Sequence, residues 1–126
     1  MGGESAKKTA IAQTAHFRVR SKVWLEDVAG NVIFGFGRYK MLEAVERLGS
    51  LKAAAKELKM SYRAIWCRIK ATEERMDIPL LVRDSKGSML TAQAKTLMAQ
   101  YRRLQTLVET ESDKIYHDLK KTEPTQ

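Results

Sequence analysis

One cysteine and two histidines in 126 residues exclude several kinds of protein at once. Cys67 alone forms no internal disulfide and fits a reducing compartment. His16 and His117 stand near opposite ends, so no metal site assembles from them and Cys67. No stretch is long and apolar enough to span a bilayer. The start, MGGESAKKTAIAQTAH, lacks the apolar core of a signal peptide, which predicts a cytoplasmic protein. Catalytic pairs are missing too. Glu73 and Glu74 are adjacent on a helix and point apart, and no nucleophile stands beside a base. The expectation is a non-enzyme without cofactor.

Acidic residues are also in short supply, 15 against 23 lysines and arginines. The resulting net charge of +8 and pI near 9.7 favour a polyanionic partner. Much of that charge falls in residues 49–70, GSLKAAAKELKMSYRAIWCRIK. Lys52, Lys56, Lys59, Arg63, Arg68 and Lys70 there face Glu57 alone. Ser50 is placed to N-cap a short helix, and Ala54, Ala55 and Leu58 give it a small-residue face. Ser61 is placed to cap a second helix carrying Ile65 and Ile69. Two short helices joined by a tight turn, with alanines at their contact, predict a helix-turn-helix. A solvated surface of a helical bundle is the plainer alternative for such a charge run.

Around this core the predicted fold is mainly α with small β hairpins. Residues 1–15 read as a disordered tail. Residues 16–90 read as a winged helix-turn-helix domain with an N-terminal hairpin. There Phe17, Val19, Ser21, Val23 and Leu25 alternate as one strand face, Ala29-Gly30-Asn31 turns, and Val32 to Phe34 returns. Gly35 and Gly37 break the run. The next helix buries Met41, Leu42, Val45 and Leu48 and stops at Gly49. After Pro79, Leu80 to Val82 and Met89-Leu90 flank a turn over residues 84–88, making a wing. Thr91 caps a helix over 91–119, and 120–126 read as a second disordered tail. The apolar positions Leu90, Ala94, Leu97, Tyr101, Leu104, Val108 and Ile115 predict a heptad seam. Its first two turns are expected on the chain's own core. Leu97, Tyr101, Leu104 and Val108 are the candidate dimerisation residues, with pairing weakened beyond Val108 by Glu111 and Asp118.

The succession GS–AA–L–MSYRAIW–I, then PLLVR, G and LT, resembles the N-terminal domain of the molybdate-responsive regulator family (ModE). More distantly it is similar to the winged helix of LysR-type regulators. The lead-in KVWLEDVAGNVIFGFGR resembles the extra hairpin of short ModE-like proteins, and the likeness covers about residues 17–110. It implies a dimer held by its long terminal helix and bound to a palindromic operator. Family members of full architecture continue into molybdate-binding domains. Only Lys120 to Gln126 follow the last helix, so no molybdate site is expected.

On a helical wheel Tyr62, Ile65, Trp66, Ile69 and Met76 share one arc, opposite Arg63, Cys67 and Lys70. Ser61, Arg63, Ala64 and Cys67 are the candidates for the major groove. Arg63 suits bidentate readout of guanine, or else a phosphate contact. Ala64 suits a thymine methyl. Ser50 and Tyr62 complete the expected interface, and Lys52, Lys70 and Lys86 are expected to anchor phosphates. Tyr62 and Trp66 could stack on single-stranded bases, but their arc predicts core packing. The expectation is a homodimeric, sequence-specific regulator of double-stranded DNA. The alternative is a dimeric helical adaptor with a basic docking face.

Overall fold

The computed structural model describes residues 18–122, with side chains as far as Leu119. The expected tail over 1–15, together with His16 and Phe17, lies outside the described residues, as do 123–126. In order run β1 (Leu25–Glu26), β2 (Val32–Phe34), α1 (Phe36–Leu48), α2 (Leu51–Glu57), α3 (Tyr62–Met76), β3 (Leu81–Asp84), β4 (Gly87–Leu90) and α4 (Ala92–Thr122). The described residues divide into two compact units, residues 22–105 and residues 18–21 with 106–122.

In the larger unit the first hairpin is shorter than the alternation over residues 17–25 predicts. Only Leu25 and Glu26 pair with β2. The alternation persists in burial all the same: Val23 and Leu25 are half-buried between exposed neighbours, as Val19 and Ser21 are in the smaller unit. β2 is three residues long and offers no further ladder. The carbonyl of Val23 instead accepts the Tyr101 hydroxyl at 3.0 Å. Asp27 makes the turn, its Oδ1 accepting the amides of Ala29 and Asn31 while Gly30 takes φ 92°.

α1 starts at Phe36, so Gly37 sits inside its first turn and does not break it. Met41, Leu42, Ala44 and Val45 are buried; Leu48, expected among them, is 39% exposed in the last turn. Gly49 closes the helix in the left-handed region at φ 78°, donating to the Val45 carbonyl. The Ser50 hydroxyl accepts the Ala53 amide at 3.0 Å and starts α2. Ser61 does the same for α3 through Ala64 at 3.0 Å. Ala54 and Ala55 are buried, which brings α2 against its neighbours. Arg47 ties α1 to α2 by bridging Glu43 and Glu57. α3 buries Ile65, Ile69 and Thr72 against this core. The Thr72 hydroxyl lies 3.1 Å from the Ile33 carbonyl and so pins α3 to β2.

β3 and β4 form a four-pair ladder from Leu81↔Leu90 to Asp84↔Gly87, leaving Ser85 and Lys86 as the tip. The expected five-residue turn is therefore tighter, because the Asp84 carboxylate folds back onto the amides of Lys86 and Gly87. The Thr91 hydroxyl caps α4 by accepting the Ala94 amide at 3.0 Å. Within the larger unit Ala94, Leu97, Met98 and Tyr101 are buried, joining Phe34, Leu42, Leu51, Leu80 and Leu90 in one core.

In the smaller unit α4 runs on to Thr122, so residues 120–122 are helix, where a disordered tail is expected. There the Val19 amide donates to Asp113 at 3.1 Å.

Candidate nucleic-acid interface

α3 owes its orientation to one buried side and one open side. Ile65 and Ile69 are 0% and 1% exposed, and Thr72 2%. Burying those three leaves Ser61, Arg63 and Cys67 exposed at the other side of the first turns. Ala64 is half-buried beside them. Four of the expected groove residues thus share one end of one helix. Lys52 is exposed on α2 and Lys86 at the wing tip. Ser50 and Ser61 each accept one capping amide, and each hydroxyl keeps a proton to donate.

Tyr62 departs from its expected core position. It is 39% exposed, with the Arg83 guanidinium 5.8 Å from its ring centroid. That cation–π contact joins the recognition helix to β3. Arg83 is a basic wing residue that the wheel of α3 cannot reveal, because its partner lies on another element. Trp66 is half-buried and packs against the core, as its arc predicts.

Lys70 is less free than a phosphate anchor needs to be. Its ammonium pairs with Glu73 at 3.0 Å and lies 5.6 Å from the Trp66 ring centroid. Glu73 in turn accepts the amides of Leu80 and Leu81 at 2.7 and 3.1 Å. Burial works to raise the Glu73 pKa, but those two amides and Lys70 outweigh it and hold it below the ordinary 4.5. The carboxylate is a structural clamp between α3 and the wing.

Among the proposed dimerisation residues, Leu97 and Tyr101 are 8% and 5% exposed and already committed to the chain's own core. Tyr101 meets Phe34 edge-on at 5.4 Å and Tyr39 at 5.5 Å. The exposed part of the stripe therefore starts at Leu104, about two turns after Leu97. Leu104, Leu107, Ile115 and Leu119 are all exposed, and Val108 is half-buried. Among the described residues no group of histidines, cysteines and carboxylates is placed to hold a metal, and no helix is long and apolar enough to cross a membrane.

Helices α2 and α3 joined through a tight turn, followed by a hairpin, define a winged helix-turn-helix domain. Residues 36–95 match the bacterial regulatory helix-turn-helix protein, lysR family. The chain is 34% identical over 83 residues to the molybdenum transport protein ModE of Azotobacter vinelandii, across 62% of this chain and 31% of that protein. It therefore spans about a third of that curated relative. Among solved structures, a complex of the CbnR DBD with DNA superposes with TM-score 0.55 at 29% identity, over 68% of this chain and 98% of that one. Full-length CbnR complexed with its target DNA gives 0.54 at 30%, over 66% and 29%.

Proposed function

We propose that the chain is a transcription regulator that binds duplex DNA, in the cytoplasm, through the exposed start of α3. The observation that carries this reading is the division of α3 itself. Ile65, Ile69 and Thr72 are buried, while Arg63 and Cys67 are exposed and Ala64 is half-buried. Of the two grooves of duplex DNA, the major one is wide enough to take a helix presented that way. Likeness to DNA-bound CbnR supports it.

Arg63 reads a base edge, and Lys52 and Lys86 hold phosphates on either side of the groove. Ser50, Ser61, Ala64, Tyr62 and Cys67 line the rest of the contact. Lys70 contributes only where a phosphate competes with Glu73. The exposed stripe from Leu104 onward pairs two copies, so the site is a palindrome with half-sites on the order of 34 Å apart. The domain acts by binding and not by catalysis.

Titration of a labelled duplex against the chain at several salt concentrations tests this. A regulator releases counterions and shows a steep salt slope. Selection from random duplexes should return an inverted repeat. Absence of duplex binding at low salt would leave the basic face to an acidic protein partner.

A further inference from the structure

Between the first hairpin and the start of α1 lies an open cleft of about 390 Å³, outside the α3 interface and walled by Trp24, Phe36, Arg38 and Arg68. Its floor is the first turn of α1, with Gly35 and Gly37. Gly35 at the N-cap supplies no side-chain hydrogen bond, and the first turn has no acidic residue. The positive end of a thirteen-residue helix is thus left uncapped. A Cβ on Gly37 would meet nothing within 4 Å, so the approach to these amides is open.

The side chains point the same way. Arg38 Nε is shut off from solvent and has no hydrogen-bond partner. Burial, then repulsion from Arg68 and Arg75, pushes its guanidinium below the usual arginine range. Two other cations of this unit are paired, Arg47 with Glu43 and Glu57 and Lys70 with Glu73. Among the described residues no carboxylate forms an ion pair with Arg38 or Arg68. Of the hairpin carboxylates, Asp27 is held by its own turn, while Glu26 accepts the Trp24 indole at 2.6 Å and so sets one negative charge against the wall of the cleft. A half-buried Arg38 and an exposed Arg68, neither ion-paired, beside a bare helix N-terminus are complementary to an anion.

We propose that this cleft is a binding site for a phosphate group, held by Arg38, Arg68 and the amides of the first turn of α1. The cleft is roomier than a lone tetrahedral anion needs. Its aromatic walls, Trp24 at 48% and Phe36 at 61% exposure, leave space for whatever carries the group. The source is either a backbone phosphate of duplex DNA or a free oxyanion. Only the first of these rests on the regulator reading.

The test uses the full chain with inorganic phosphate and, separately, a duplex. Phosphate should shift the amide resonances of residues 36–38 saturably. Arg68→Gln and Arg38→Gln should weaken that response roughly tenfold, the size of a lost charged hydrogen bond. Gly37→Glu should abolish it while raising thermal stability, since glutamate suits a helix N-terminus better than glycine. Binding lost with stability gained is an outcome that a merely structural role for this corner cannot produce. A parallel tenfold loss of duplex affinity, equal on preferred and scrambled sequences, assigns the site to backbone phosphate. Phosphate binding lost with duplex affinity unchanged assigns it to a free oxyanion. If wild type binds phosphate but no duplex, the site stands and the regulator reading fails. No saturable shift, with duplex affinity equal in all variants, overturns the proposal.

Discussion

The carbonyl oxygen of Gly49 lies 2.5 Å from where a Cβ on Gly87 would stand, and it accepts the Ser88 amide at 3.2 Å. The wing is thereby seated on the cap that ends α1, one residue before the serine that starts α2. Gly87 also holds φ 140°, so a side chain there is refused by backbone conformation and by space alike. Gly87→Ala should cost about 1–3 kcal/mol. Urea unfolding monitored by circular dichroism checks this; an unchanged midpoint would mean the wing is not seated there.

Tyr101 and Leu104 are three residues apart on α4 and should separate folding from assembly. Tyr101→Phe removes the bond to Val23 and should lower stability by about 0.5–1.5 kcal/mol without altering the sedimentation coefficient. Leu104→Glu, at a site 38% exposed, should leave the fold intact and split the dimer. Each variant should change one readout only, the unfolding curve for Tyr101→Phe and the sedimentation coefficient for Leu104→Glu.

Base reading and phosphate holding are distinguishable at Arg63 and Lys86. Arg63→Ala should cost about 1–3 kcal/mol per half-site and relax preference at one base pair. Lys86→Ala should weaken all duplexes alike and lower the salt slope by about one per half-site. Because Lys70 is paired with Glu73, Lys70→Ala should change the salt slope less than Lys86→Ala does. Equal slope changes for the two lysines would show that Lys70 leaves its carboxylate on binding.

Glu73 gives the fold an acid-sensitive clamp. Its pKa is held down in the folded state, so its contribution is complete above 4.5 and is lost as pH falls through the lower folded value. Glu73→Gln should flatten the acid limb of the stability curve relative to wild type. Glu73→Ala, which strands the Leu80 and Leu81 amides, should cost about 1–3 kcal/mol at neutral pH. Coincident acid limbs for wild type and Glu73→Gln would remove the clamp from the account.

The caps at Ser50, Ser61, Gly49 and Thr91 were legible in the sequence because each closes a bond within four residues. The buried side of α3 was legible for the same reason, through its 3.6-residue period. Thr72, Tyr101, Asp113 and Arg83 were not, since what each touches lies elsewhere on the chain: Ile33, Val23, Val19 and Tyr62. The alternation over residues 17–25 announced which side chains turn inward, yet a ladder needs a second strand of equal length. Leu97 and Tyr101 were given to a partner because periodicity reports that a stripe is apolar, not which surface covers it. The cleft at Arg38 escaped because its walls come from the hairpin, α1 and α3, and no local pattern joins them.

Trp66, half-buried on the recognition helix with an ammonium 5.6 Å from its ring, gives the protein an optical voice of its own. The other tryptophan, Trp24, stands on the wall of the Arg38 cleft. Each indole sits beside one of the two surfaces argued to meet polyanions, so their emission can be followed without any attached dye. Replacing either ring by phenylalanine isolates the signal of the other. Events at the groove and at the cleft can then be timed separately in the unlabelled molecule.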